Sequence, residues 1–371
     1  MRVVVSVGGK FHAMHLAREL ETRGVLERLI TTKRWYAAGI PASKVKAIPV
    51  PEYVGQAVRS ISWWRKRGYY SYVKDNLFDV MARRYVAPCD VFHAWGNYAL
   101  YSIPRAREFG AKVVIERGST HPHFQDEILR EEARIHGFQI ERAHPQIIEK
   151  GLEEIALADR VIIPSEFVRK SFLLHGVPEE KLRVIPYGID LTRFRNDRAR
   201  NGIFRVLFVG NIGFQKGIHY LLDAWSRLRL PDAELVLIGS IEQDAQTFLQ
   251  RYQGQFIYKG HVRHEELVAE YNAASVFVLP SLQEGSALVT YEAMACGLPC
   301  VVTENTGSIV RDGVDGMIIP VRSSRGLEEA ISWMFEHPSE RQEMGDQAVT
   351  QISAYTWMRY ADGVLSVYPG M

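Results

Sequence analysis

A short apolar strand that runs into a glycine turn and then an amphipathic helix is found near the start of the chain and again past its midpoint. No other feature restricts the fold as much. Residues 2–7 read as a buried strand, Gly8 and Gly9 as its turn, and residues 12–22 as the helix. Residues 205–210 form a second such strand, followed by a glycine-rich turn that carries Lys216 and a helix over 217–228. Further apolar strands at 90–93, 112–116, 160–163, 234–238 and 276–279 alternate with helical stretches, which implies parallel β/α units. At 371 residues the chain is too long for one ordinary core. The expected division is a first α/β domain over 1–189, an arginine-rich hinge over 190–202, a second α/β domain over 203–353 and a final segment, 354–371. No internal sequence repeat is evident.

Glu284 and Glu292 flank the expected start of a helix, over about 286–296, that follows the apolar strand at 276 and stops at Gly297-Leu298-Pro299. Unpaired amides at a helix start suit a diphosphate, and Gly285 lets a ligand approach them. Glu292, one turn in, is placed to accept from vicinal ribose hydroxyls, and Glu284, in the loop, from hydroxyls of a sugar. Lys216 lies at the carboxyl end of a strand, where open α/β sheets bind ligands, and suits phosphate as a point charge. Gly210 and Gly213 lack the dinucleotide spacing, and no Ser or Thr follows Lys216, so neither a dinucleotide fingerprint nor a P-loop is supported. Taken singly, a loop lysine is usually just solvated, and two helix-flanking glutamates are as readily a solvated helix glutamate after an acidic loop as a ligand site.

In combination and order, these segments resemble the retaining family 4 glycosyltransferases of the GT-B fold. The stretch from Ala158 to Ser165, Gly176-Val177-Pro178 and residues 184–190 look like the end of that family's first domain. Gly210 to Gly217 looks like its phosphate turn, residues 284–299 like its paired-glutamate motif, and Asp312-Gly313 with Gly316 like the turn beyond. The resemblance implies two Rossmann-like domains facing a central cleft, with the last helix crossing back to the first domain. It implies a hexosyl unit moved from a nucleotide-diphosphate sugar to a hydroxyl acceptor with retention, the leaving phosphate accepting the acceptor's proton. Donor-binding candidates are Gly9, Gly210, Asn211, Lys216, Glu284, Gly285, Ser286, Ala287, Leu288 and Glu292. Family members often carry arginine where this chain has Asn211, and phenylalanine where it has Ser286, which shifts phosphate charge onto Lys216. An active-site histidine is expected within Glu116–His123. Arg117, His121 and His123 compete for it, and His121 is chosen, so the catalytic candidates are His121, Lys216 and Glu284. His12, His93, Asn97, Arg117 and His123 are the acceptor-side candidates. No Asp-x-Asp motif is present, so neither a metal nor a cofactor is expected.

Charge is uneven along the chain. Residues 1–90 hold 16 basic against 7 acidic side chains, net +9, and residues 186–371 hold 16 against 22, net −6. An anionic or lipid-linked acceptor, or an anionic membrane, is therefore a candidate partner for the first domain. The segment Ile61–Tyr72, with Trp63, Trp64, Tyr69 and Tyr70 around Arg65, Lys66 and Arg67, suits a headgroup layer or, more ordinarily, a sheet-packed aromatic cluster. No nucleic-acid motif accompanies the basic excess. No apolar run reaches 18 residues and the start reads as a strand, so a cytoplasmic protein, at most peripheral to the inner membrane face, is expected. Cys89, Cys296 and Cys300 lack metal-ligand spacing and read as reduced structural thiols. A sugar-nucleotide epimerase or phosphorylase of the same fold, or a binding scaffold without transfer activity, are the rival readings.

Overall fold

The computed structural model describes residues 1–9, 11–61, 68–138, 143–197, 202–243 and 245–368. Two all-parallel sheets carry the chain. The first contains β1 (Val3–Val7), β2 (Leu26–Thr31), β3 (Val45–Ala47), β4 (Val91–Trp95), β5 (Lys112–Glu116), β6 (Arg160–Ile163) and β7 (Leu182–Val184), in the order β3-β2-β1-β4-β5-β6-β7. The second contains β8 (Phe204–Val209), β9 (Ala233–Ile238), β10 (Ile257–Gly260), β11 (Val276–Leu279), β12 (Cys300–Thr303) and β13 (Gly316–Ile319), in the order β10-β9-β8-β11-β12-β13. Helices cover both faces, so β1, β4 and β11 are buried along their whole length, which is why they read as continuous apolar runs with no alternation.

In both sheets strand order reverses beside the first strand, between β1 and β4 and between β8 and β11. Loops leaving neighbouring strands diverge there and open a crevice at the carboxyl ends. The two crevices face each other across a set of contacts between the sheets' loops. Thr120 Oγ1 donates to Gln283 Oε1 at 2.9 Å, Ser165 Oγ to the Gly285 carbonyl at 2.6 Å, and Phe138 stacks on Phe214 with centroids 3.6 Å apart.

The strongest such contact is built on Glu132, a fully buried residue of the helix Pro122–His136. It accepts from His219 Nε2 at 2.6 Å, Tyr220 OH at 2.8 Å and Arg322 Nε at 2.7 Å, all from the second domain. Burial alone would raise this carboxyl, but the three donors outweigh it and hold it at about 2. Glu132, His136 and His219 lie close enough to share a cation. Arg322 already supplies the positive charge, so the group reads as a latch between domains.

The helix Trp357–Val367 packs on the first domain. Trp357 stacks on His15 at 4.0 Å, Asp362 pairs with Arg23 at 2.6 Å, and Gly188 is needed because a Cβ there would strike the backbone at Trp357. The hinge segment is described from Asp190 to Asp197, where Thr192 caps onto Asp190, and residues 198–201 lie outside the described set. Cys89, Cys296 and Cys300 are buried and free, with the Cys89 thiol pushed up to about 11 and the Cys296 thiol to about 12 by burial. These thiols are chemically inert at neutral pH.

Candidate active site

The second domain's crevice is shaped by the turn after β8. Its chain leaves the strand at Gly210, with φ 149°, and turns back at Gly217, with φ 68°, where a side chain would also strike the Pro280 carbonyl. This close approach holds the turn against the loop after β11, and the Leu282 amide donates to the Gln215 carbonyl at 2.9 Å. That loop is fixed from its other side by Asn305, whose carbonyl accepts from the Glu284 amide at 2.8 Å and whose side chain donates to the Leu282 carbonyl at 2.7 Å. Two rigid loops therefore present Lys216 and Glu284 to each other at the switch point, with Lys216 Nζ 2.5 Å from Glu284 Oε1. Both side chains are about four-fifths buried, at 18 and 16 % exposure.

The following helix spans Leu288–Ala295, two residues shorter at its start than the sequence pattern suggests. Ala287, still extended, is the N-cap, and Ser286 spends its hydroxyl on Tyr291 OH at 3.0 Å. Gly285 packs under the first domain, where a Cβ would strike the Gly118 carbonyl. Glu292, in the second turn of the helix, is buried and accepts from His264 Nε2 at 3.0 Å and Tyr271 OH at 2.8 Å. Asn211 stands exposed just after β8.

Across the cleft, Gly8 lies against the Tyr98 ring, which a Cβ would strike, and its carbonyl accepts from Lys74 Nζ at 3.4 Å; at Gly9 a Cβ would meet the Phe11 ring at 2.9 Å. Close packing at this turn thus falls on Gly8 as well as Gly9. Asn97 and Arg117 follow β4 and β5 and contact each other, Nη1 to Oδ1 at 3.4 Å. Together with Ser71, Asp75, Gln125, Asp126 and Gln215 they line a cavity of about 210 Å³. Gln215 comes from the turn that bears Lys216, so the cavity adjoins the lysine–glutamate pair.

The histidines are arranged otherwise. His12 and His93 do not line this cavity; they flank Glu116, the partly buried His12 in direct contact with one carboxylate oxygen and the buried His93 with Nε2 3.2 Å from the other. Tyr360 OH donates to Glu116 at 2.7 Å and Tyr368 OH lies 2.9 Å from His93 Nδ1, so this network anchors the C-terminal helix. Burial would raise Glu116, but the two imidazoles dominate and hold it at about 2. A position after a strand suggests a ligand site, yet the crossing helix covers these two side chains. His121 is buried at the N-cap of the helix Pro122–His136, stacked on His175 at 4.3 Å, with its ring pushed down to about 3 by burial and by the neighbouring His175 and His123. His123 is exposed. Of the three competitors in this loop, only Arg117 lines the cavity.

Gln215, Gln283, Asp75 and the Glu132 latch escaped the sequence reading. Gln215 and Gln283 each precede a residue that was singled out, and adjacency was the available signal. Asp75 sits in a tyrosine-rich helix, Tyr69–Ala82, and matches no motif.

Two facing Rossmann-like domains, with a charged pair at the switch point of the second, define the GT-B class of glycosyltransferase fold. Residues 8–193 match the family model described as Glycosyltransferase Family 4, and residues 203–337 that described as Glycosyl transferases group 1. The chain belongs to glycosyltransferase family 4. It is 29 % identical over 252 residues to the D-inositol 3-phosphate glycosyltransferase of Paenarthrobacter aurescens, covering 62 % of each chain. It is 31 % identical over 207 residues to the glycogen synthase of Mycobacterium tuberculosis, covering 53 % of this chain and 50 % of that one. The matches thus span one half to three fifths of these relatives' lengths. Among solved structures, the sucrose-phosphate synthase of Thermosynechococcus elongatus superposes with a TM-score of 0.69 at 18 % identity, over 100 % of this chain and 99 % of that one. The Anabaena protein HepE in complex with UDP-glucose superposes with a TM-score of 0.68 at 15 % identity, over the whole of both chains.

Proposed function

We propose that the protein is a retaining glycosyltransferase that moves a hexosyl unit from a nucleotide-diphosphate sugar to a hydroxyl acceptor without a metal ion or cofactor. The observation that carries this reading is the Lys216–Glu284 pair, held by two rigid loops at the switch point of a family 4 domain. In the empty site each group is the other's counter-ion. A donor diphosphate takes over Lys216, and the sugar's hydroxyls take over the carboxylate of Glu284. The amides from Gly285 to Leu288 and Asn211 add donors for the phosphate, and Glu292, with acceptor capacity beyond His264 and Tyr271, receives the ribose. HepE, of the same fold, was solved with UDP-glucose bound, which supports a nucleotide-sugar donor here.

The acceptor oxygen bonds to the sugar's anomeric carbon on the face from which the nucleoside diphosphate departs, the bond between that carbon and the phosphate oxygen breaks, and the leaving phosphate accepts the proton of the acceptor hydroxyl. Preorganised charge at Lys216 stabilises it as that bond breaks. The acceptor enters from the side of Arg117, Asn97 and Gln215. Transfer from a panel of nucleotide sugars, followed by NMR of the product's anomeric configuration with and without EDTA, tests the reading. An inverted product, loss of turnover in EDTA, or absence of nucleoside diphosphate binding would overturn it.

A peripheral membrane contact is a second part of the reading. Trp35 and Tyr53 of the first domain stand 70 % and 67 % exposed, and Lys33 Nζ lies 5.1 Å from the Trp35 ring. Exposed aromatics beside cations suit an anionic headgroup layer at the cytoplasmic face. Trp63, Trp64, Arg65, Lys66 and Arg67 lie outside the described residues. Among the described residues no helix is long and apolar enough to cross a membrane. Absence of salt-sensitive sedimentation with anionic liposomes would remove this contact.

A further inference from the structure

The cavity beside the lysine–glutamate pair carries information about the acceptor that the family does not. We infer that the acceptor's reacting unit is a single uncharged polyhydroxyl ring, a monosaccharide or cyclitol terminus, whose hydroxyls donate to Asp75 and accept from Arg117. This rests on the transferase reading above.

Size is the first ground. The cavity's volume, about 210 Å³, is below the roughly 300–1,000 Å³ of pockets that take drug-sized ligands, which leaves room for one ring. Lining chemistry is the second. Ser71, Asn97, Gln125 and Gln215 contribute a hydroxyl and three amides, able both to donate and to accept, Asp75, Asp126 and Arg117 add charged groups, and an apolar side that includes Leu129, Ile147 and Ile148 suits the C–H face of a ring. Arg117 Nε is buried with no partner among the described residues, so it has a donor to offer.

Charge is the third ground and decides against an anion. Among the described residues, the lysines and arginines around the cavity each face a carboxyl group. Lys74 Nζ is 3.1 Å from Asp75 Oδ1, Lys150 Nζ is 2.8 Å from Asp79 Oδ2, and Arg130 Nε is 2.5 Å from Asp126 Oδ2. Arg117 faces the buried carboxyl of Glu154, which burial pushes up to about 7 and which accepts from the Asn97 amide at 2.5 Å, and Arg117 also feels the carboxyl of Asp75. Lys74, Lys150 and Arg130 are thus each paired with a carboxylate, Arg117 is offset in part by Glu154 and Asp75, and two of these groups, Asp75 and Asp126, are on the wall itself. Phosphate is bound where cations are in excess and is repelled by neighbouring carboxylates. A ring ammonium would find the wall's two carboxylates already held by Lys74 and Arg130 and the unpartnered Arg117 Nε beside it. Among the described residues, the basic excess of residues 1–90 is therefore not focused on the reacting ring.

The test uses the full chain with a nucleotide-sugar donor that it binds, and acceptors in matched sets: free monosaccharides and cyclitols, their monophosphates, and hexosamines. A neutral ring should raise nucleotide release at least tenfold more effectively, in kcat/KM, than its monophosphate or its amine. Asp75→Asn should raise the acceptor KM at least tenfold with donor affinity unchanged. Because Asp75 is buried and that variant can fail to fold, Asp126→Lys, at a side chain 13 % exposed and paired with the exposed Arg130, is the second variant. It should raise the preference for monophosphate over neutral ring at least tenfold. Saturation-transfer NMR of the free rings, with no donor present, reads binding at the cavity even if turnover is lacking, which separates failure of this inference from failure of the transferase reading. A monophosphate preferred over its parent ring, or a preference unmoved by Asp126→Lys, would overturn it.

Discussion

Lys216→Met tests the site most directly, since it removes the charge assigned to the donor diphosphate and keeps most of the side chain's bulk. Lys216 pairs with Glu284 at 2.5 Å, and the two are 18 and 16 % exposed. That places the interaction between an exposed ion pair, worth about 0–1 kcal/mol, and a fully buried one, whose disruption costs about 3–5 kcal/mol. A charge-assisted hydrogen bond to phosphate, of about 1.5–3 kcal/mol, falls in the same interval. We expect a loss of about 2 kcal/mol in nucleoside diphosphate binding, which is about 30-fold in Kd. Glu284→Gln separates the two halves of the pair. It frees Lys216 from its internal partner, so affinity for the nucleoside diphosphate alone should stay level or rise, while the preference for the nucleotide sugar over the diphosphate should fall. Calorimetric titration of both variants with both ligands gives all four numbers. A Kd for the diphosphate within twofold of wild type in Lys216→Met would refute the assignment of Lys216 to phosphate.

Glu132→Ala should lower unfolding stability by about 3–5 kcal/mol in chemical denaturation, because it leaves Arg322 and His219 at a buried contact without their carboxylate. Gly217→Ala, at φ 68° and against the Pro280 carbonyl, should displace Lys216 and reduce donor affinity at least as much as Lys216→Met, as calorimetry would show. His121 is held at about 3 in the fold against an ordinary 6.5, so the unfolded chain binds the extra proton between those values. Its contribution is complete above about pH 6.5 and is lost as pH falls toward 3. His121→Gln should therefore flatten the acid limb of a melting-temperature profile in that window while wild type declines through it.

The α/β class and the family were legible because parallel strands buried on both faces must be apolar throughout, as Val3–Val7 and Val276–Leu279 are. Loop residues next to such strands were legible for the same reason: Lys216, Glu284, Asn97 and Arg117 are each found within a few residues of a strand's carboxyl end. His12, His93 and Glu116 share that position, and here the sequence misleads. Whether a strand-end side chain meets a ligand or a covering helix depends on the segment 357–367, which lies over 240 residues from Glu116 and carries no local signal of its partner. Asp75 and Glu132 were invisible for a related reason. Each acts through pairings made in three dimensions, and a carboxylate in an amphipathic helix looks the same in sequence whether it faces water or Arg322.

The same long-range pairings set how the cleft works as a unit. The first domain reaches the donor loop through the backbone at Gly118, the Thr120 hydroxyl on Gln283 and the Ser165 hydroxyl on the Gly285 carbonyl, all neutral and all within the glutamate-bearing loop or its packing. Neutral hydrogen bonds of this kind are worth about 0.5–1.5 kcal/mol each, so they can break and re-form as substrates exchange. The charged latch at Glu132 is heavier and sits on the neighbouring helices, leaving the Lys216–Glu284 pair unencumbered. The strongest contact between the domains thus lies beside the cleft, and the loops assigned to the donor are bound only lightly to the other domain. Glu132→Ala should for this reason raise the KM for both substrates while leaving the ratio of their affinities unchanged. A change in donor affinity alone would show instead that the latch acts through the turn at Gly217.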